Sequence, residues 1–169
     1  AFYEKGNVRI HYQEAGSGFP LFVIPGGGQN STIGFMSDRA PFNAIEEFKD
    51  EYRCITADLR NAPSGRSAGP LEIDRPWDSY ADDHLALMDH LGIRRFMVIG
   101  YCIGGTLLAT VLGHMAATGD HRFTSATFFT SGRGWRPRGR AVRKRSSQVL
   151  TSEMGRAGQK FPLTPSISR

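Results

Sequence analysis

A chain of 169 residues, 40% hydrophobic and 22% charged, is long enough for one domain with a substantial core and suits a globular protein. The formal charge of +5 is unevenly placed, with 11 Lys and Arg against 15 Asp and Glu in residues 1–130 and 10 against one in residues 131–169. No apolar run approaches the roughly 20 residues that cross a bilayer, and the start, AFYEKGNVRIHYQEAG, has no continuous apolar stretch, so neither a membrane span nor a secretory leader is expected.

In chain order, VRIHYQE (Val8 to Glu14) alternates apolar and polar residues and predicts a half-buried strand. The apolar run Leu21 to Ile24 predicts a second strand, ending abruptly in Pro25 and three glycines. PFNAIEEFKDEY (Pro41 to Tyr52) predicts a short helix with Phe42, Ile45 and Phe48 on one face. YRCITADLR (Tyr52 to Arg60) predicts a third strand ending in Asp58, followed by a Gly-, Pro- and Ser-rich loop from Asn61 to Pro70. RPWDSYADDHLALMDHLG predicts a helix, with Pro76 near its start, Asp78, Asp82 and Asp83 in its early turns, and Gly92 past its end. Its predicted apolar face is Tyr80, Leu85, Met88 and Leu91. RFMVIG (Arg95 to Gly100) is then a strand, IGGTLLATVLGHMAA a helix running to about Gly119, and SATFFT (Ser125 to Thr130) another strand. Such alternation implies a mainly parallel sheet with helices on both faces, whose chemistry lies beyond the carboxyl ends of the strands. Three loops meet that description: PGGGQN, DLRNAPSGRS and GYCIGG.

GYCIGG places Cys102 at a strand-to-helix turn flanked by Gly100 and Gly104. Glycine at either side admits backbone angles and close approaches that a side chain forbids. The pattern Gly-x-Cys-x-Gly is the thiol version of a nucleophile elbow, against the plainer alternative of a buried cysteine in a tight turn. The spacing is not that of a dinucleotide fingerprint, and neither glycine-rich loop carries the lysine of a phosphate-cradling loop.

Taken in order, LFVIPGGG, ITADLRNAPSGRS, DDHLALMDHLGI and FMVIGYCIGG resemble the α/β-hydrolase superfamily over residues 1–130. The resemblance implies an α/β-hydrolase fold and the acyl-transfer chemistry of an ester or thioester hydrolase. It makes Cys102 the nucleophile, Gly100 and Gly104 the elbow glycines, and the backbone N–H groups of Gly27 and Ile103 the oxyanion hole, with Gly28 the near alternative to Gly27. Pro25 stands where the superfamily commonly has histidine, a departure that removes no N–H from Gly27. A narrower resemblance covers Gly100 to Thr130: GYCIGGTLLATVLGHMAATGD followed by SATFFT is similar to the active-site segment of polyhydroxyalkanoate synthases. Those are acyltransferases of the same fold with a cysteine nucleophile, so a hydroxyacyl chain would replace water as the acyl acceptor.

Such a nucleophile needs a base, and the base an orienting acid, which the superfamily supplies after the elbow. All five histidines, His11, His84, His90, His114 and His121, precede Phe123 and read as surface or helix-face residues; after Thr130 the only acid is Glu153. No triad is recognisable. Residues 1–130 are therefore read as a partial α/β-hydrolase core, truncated at its C-terminal side with the sheet ending at SATFFT, and residues 131–169 as a basic, disordered tail. The run RGWRPRGRAVRKR offers a nucleic acid only Trp135 as an aromatic platform, so a nucleic-acid partner is not expected. Cys54 and Cys102 with scattered histidines show no ligand spacing, so neither a metal nor an organic cofactor is expected, and two cysteines are no disulfide framework, which points to a cytoplasmic setting. The expected partner is a small-molecule ester or thioester, with self-association through an exposed sheet edge. Three readings stand: a hydrolase, a polyester-synthase-like acyltransferase fragment, and a catalytically inactive chain with a basic tail.

Overall fold

The computed structural model describes residues 1–39, 43–130 and 148–153. Seven strands, β1 (Phe2–Lys5), β2 (Val8–Ala15), β3 (Phe19–Ile24), β4 (Tyr52–Ala57), β5 (Phe96–Tyr101), β6 (Phe123–Thr130) and β7 (Gln148–Glu153), form one sheet in the order β1-β2-β4-β3-β5-β6-β7. The centre, β4-β3-β5-β6, is parallel, and antiparallel pairs flank it on both sides.

Side chains alternate across the central strands, and both faces are apolar, as a sheet covered on both sides requires. Phe22, Ile24, Ile55, Phe96 and Val98 point to one face, where α3 (Pro76–His90) and α4 (Ile103–Thr118) add Leu87, Met88, Leu107, Leu108 and Met115. Leu21, Val23, Cys54 and Ile99 point to the other, against Met36 of α1 (Ile33–Arg39) and Ile45 of α2 (Ala44–Phe48). The chain is thus an α/β-hydrolase fold, as expected from the order of its elements.

Several elements depart from the sequence reading. β1 and α1 were not expected: each is short, β1 a four-residue arm of a hairpin with β2 and α1 seven residues tied at Ile33 to Asp58, so neither carries a clear periodic signal of its own. The helix expected over 41–52 is shorter; Asn43 caps it by accepting from the amides of Ile45 and Glu46, and the predicted face residue Phe42 lies outside the described residues. On α3, Tyr80 and Leu91 are only half-buried, whereas Ala81, Asp83, His84 and Leu87 are buried, because this helix packs on the sheet and on α4 at once. The sheet does not end at β6: β7 pairs antiparallel with it, from Thr130 opposite Gln148 to Ser125 opposite Glu153. A six-residue strand set among polar and basic residues gives little periodic signal of its own. The rest of the expected tail lies outside the described residues.

His84 is the one α3 histidine that enters the core. Its ring meets Phe22 edge-on at 5.0 Å between centroids, and Nδ1 has no hydrogen-bond partner. Burial drives its pKa from 6.5 down to about 4. The neutral ring therefore contributes stability that is complete above pH 6.5 and is lost as pH falls towards 4, up to about 3 kcal/mol. Replacing His84 with Leu should flatten the fall in urea-unfolding free energy between about pH 7 and pH 4. Parallel pH profiles for the two proteins would show that His84 is not the acid-sensitive group.

Candidate functional site

The site is built from the carboxyl ends of β3, β4 and β5. β5 runs into α4 through Cys102, which adopts φ 56° and ψ −116° with an exposed side chain. Few non-glycine residues accept a positive φ, and such strain persists only where neighbours over-determine it. Here the Cys102 N–H donates to the Phe129 carbonyl at 2.8 Å, and the Cys102 carbonyl accepts from Gly105 N–H at 3.0 Å. The thiol makes no capping bond to the first turn of α4.

Close approach explains the two elbow glycines. A Cβ on Gly104 would lie 2.3 Å from the Ile24 carbonyl oxygen and 2.8 Å from that of Pro25; one on Gly100 would lie 2.5 Å from the Gly104 carbonyl oxygen. The start of α4 thus rests on the end of β3, beside the glycine loop. In that loop a Cβ on Gly26 would lie 2.6 Å from the Tyr101 ring and 3.1 Å from Cys102 Cβ. Gly27 (φ 111°) packs on Phe35 and opens a turn over Gly28–Asn30. Of the two amides expected to serve the oxyanion, Ile103 is the first residue of α4, and Gly27 follows the glycine that abuts Cys102.

The loop after β4 completes the rim. Asn30 Oδ1 accepts from both the N–H and the hydroxyl of Ser64 at 2.8 Å. Asp58, buried just past β4, receives three hydrogen bonds: Oδ1 from Ile33 N–H, and Oδ2 from Arg66 N–H and His11 Nδ1, each at 2.8 Å. Nearby, Arg60 forms a buried two-point pair with Asp83, whose carboxyl is pushed up by burial against the pull of Arg60.

His11 was expected at the surface and is buried, because Asp58, Arg66 and the Phe2 ring enclose it. It lies on β2, three strands from β5, hence about 14 Å from the elbow at ordinary strand spacing. His114 stands twelve residues into α4, about 18 Å along its axis. His121 precedes β6, at the amino end of the sheet; His90 stacks near Tyr3 and Tyr12. None of the five histidines is placed at Cys102. The Asp58 cluster, the Asn30–Ser64 tie and the Arg60–Asp83 pair left no signal in the sequence beyond the polar character of DLRNAPSGRS, since each joins residues 8 to 47 positions apart. The thiols differ sharply: Cys54 is fully buried in β4, and burial pushes its thiol pKa up.

An open groove of about 530 Å³ lies elsewhere, among Tyr3, Arg60, Asp83, Asp89, His114 and Arg122, and does not include Cys102. Among the described residues no cluster of three His, Cys, Asp or Glu side chains is placed to hold a metal ion. Nor is any described helix long and apolar enough to cross a membrane.

A fold of this order, with a strained residue between a parallel strand and a glycine-packed helix, is that of the hydrolases whose nucleophile sits at such a turn. The chain belongs to the alpha/beta hydrolase fold family, which matches it over residues 20–163. It is 42% identical over 62 residues to the poly(3-hydroxyalkanoate) polymerase subunit PhaC of Rhizobium meliloti (strain 1021), a stretch covering 34% of this chain and 10% of that protein. To haloalkane dehalogenase 2 of Mycobacterium tuberculosis (strain ATCC 25618 / H37Rv) it is 27% identical over 110 residues, 65% of this chain and 35% of that one. Among solved structures, the N-acyl homoserine lactonase AidH complexed with N-butanoyl homoserine superposes with a TM-score of 0.54 at 26% identity, covering 68% of this chain and 40% of that one. The chain therefore spans well under half the length of these relatives.

The glycine packing sets a graded test. Gly104→Ala should destabilise by about 2–3 kcal/mol or more, since backbone rather than a flexible side chain blocks the new methyl. Gly113→Ala, also on α4 but with nothing within 4 Å of its Cβ position, should be neutral or stabilising by up to about 1 kcal/mol. Denaturant midpoints check both; equal effects would mean that α4 does not rest on β3 as described.

Proposed function

We propose that this chain carries the nucleophilic half of an acyl-transfer site, with Cys102 attacking the carbonyl carbon of an ester or thioester. The observation that carries the reading is the backbone of Cys102, held at positive φ with an exposed thiol between β5 and α4. A residue kept in that conformation by Gly100 and Gly104 is presented outward at the carboxyl edge of the sheet, where a substrate can reach it. The N–H groups of Gly27 and Ile103 would receive the oxyanion, with Gly28 the near alternative to Gly27; their place beside the elbow supports this assignment. On attack a bond forms between Sγ and the carbonyl carbon, the bond to the alkoxide or thiolate leaving group breaks, and the thiol proton passes to solvent.

Deacylation is the harder step. With no histidine placed at Cys102, water lacks the general base that is typically worth about 10² to 10⁴ in rate. The reading is therefore of a chain that acylates once and turns over slowly. The likeness to PhaC, 42% identical over 62 residues, favours a second form, in which a hydroxyacyl thioester is the donor and a hydroxyacyl chain the acceptor.

With limiting iodoacetamide, Cys102 should be labelled well before Cys54, which is buried and held as a thiol. With p-nitrophenyl acetate the chain should release about one equivalent of nitrophenolate and then nearly stop, and Cys102→Ala should abolish the burst. A 3-hydroxyacyl-CoA that loads Cys102 faster than the acetate ester would favour the synthase form. Preferential labelling of Cys54 would refute the assignment of the nucleophile, and steady turnover abolished by Cys102→Ala would show that a base is present.

A further inference from the structure

We propose that the buried Asp58–His11 pair positions the glycine loop beside Cys102, and so acts on oxyanion binding without touching substrate. This rests on the acyl-transfer reading of Cys102 and extends it to residues two and three strands away. Pro25-Gly26-Gly27-Gly28 has little intrinsic stiffness, since each glycine admits both signs of φ, yet oxyanion donors act only when they are already in place. Something outside the loop must hold it.

The hydrogen bonds lead to Asp58. Ser31, just beyond the glycines, donates its hydroxyl to the Pro25 carbonyl at 2.7 Å and its N–H to the Gly28 carbonyl at 3.2 Å, closing the loop on itself. Two bonds then fasten Ser31 and Ile33 to the end of β4: Leu59 N–H donates to the Ser31 carbonyl at 2.9 Å, and Ile33 N–H to Asp58 Oδ1 at 2.8 Å. Oδ2 of the same carboxylate is held by His11 Nδ1 and by the Arg66 amide. His11 is fixed in turn, with its N–H donating to Ser67 Oγ, whose hydroxyl donates to the Asp58 carbonyl, and with Arg66 Nη1 3.5 Å from Nε2. Asp58 is 4% exposed and His11 7%. A carboxylate at that depth is costly unless its acceptors are filled, and here the donors come from β2, from the exit of the glycine loop and from the loop after β4. Displacing any of the three strands a buried charge, so the three segments are fixed relative to one another. At about 14 Å from the elbow, His11 is a positioning residue and not the missing base.

The test separates oxyanion binding from thiol reactivity. Alkylation of Cys102 by iodoacetamide forms no oxyanion, whereas acylation by p-nitrophenyl acetate does. Asp58→Asn is close to isosteric but sets an NH₂ against an N–H donor. It should lower the acylation rate by about 10- to 100-fold while leaving alkylation within about twofold. Amide hydrogen exchange at Asn30 and Ser31, whose N–H groups donate to the Gly27 and Gly28 carbonyls, should rise by about tenfold or more, with Leu107 and Leu108 in α4 unchanged. His11→Asn, which keeps a donor near the place of Nδ1, should preserve the acylation-to-alkylation ratio, and His11→Leu should lose it. An unchanged ratio in Asp58→Asn, or unchanged exchange at Asn30 and Ser31, would overturn the proposal. So would exchange that rises equally in the loop and in α4, or equal damage from His11→Asn and His11→Leu. A parent chain that is alkylated at Cys102 but never acylated would instead sink the acyl-transfer reading, while the exchange measurements would still decide whether Asp58 holds the loop.

Discussion

The contact on which the site depends is the one between the first turn of α4 and the end of β3. Where a Cβ at Gly104 would come within 2.3 Å of the Ile24 carbonyl oxygen, only glycine lets helix and strand meet. Because they meet, β5 must turn within a single residue, and Cys102 is that residue. Its positive φ follows from the packing on either side, and its exposure from the turn. The glycine loop after β3 is brought beside the thiol by the same contact, since Pro25 and Gly26 continue directly from the strand on which α4 rests. A larger residue at position 104 or 100 would separate the layers and remove both effects together.

Around this contact the polar groups are arranged to fix loops rather than to supply protons. Asp58, Ser31, Asn30 and Ser67 each tie a loop to a neighbouring segment. Arg60 and Asp83 do the same between the β4 loop and α3, with the carboxyl raised by burial yet paired at two points. Such buried polar ties fix the relative placement of segments when every member is satisfied. The two histidines that enter the interior illustrate the contrast: His11 is bonded through both ring nitrogens, whereas His84 lies among apolar side chains with Nδ1 unpaired.

The chemistry that such a site supports is set by what surrounds the thiol. Donors for an oxyanion can come from backbone alone, so the acylation proposed here asks no more than a glycine loop and a helix start. Activating water requires a side chain at the elbow with a suitable proton affinity, and the five histidines are placed elsewhere in the fold. The family match extends to residue 163, while the relatives compared are more than twice as long as the part this chain covers. The proposed acyl transfer thus divides into two steps with different structural requirements.

By itself the sequence determined the class of fold and the elbow. Apolar runs of strand length, helices opened by Pro76 and closed by Gly92 and Gly119, and glycines at 100 and 104 are local signals, since each reflects what a backbone can do over a few residues. α1, β1 and β7 escaped it because four to seven residues are too few for a periodic signal, and α1 and β7 draw their stability from partners far along the chain. The Asp58 cluster escaped for the same reason. His11 sits in an alternating strand where period-two reasoning makes it a surface residue, and only the pairing of β2 with β4 and the return of the loop at Arg66 and Ser67 enclose it. Which residue stands at the turn was legible in six letters; the ties among β2, the β4 loop and the exit of the glycine loop are hydrogen bonds between residues up to 56 positions apart, and those exist only once the sheet has formed.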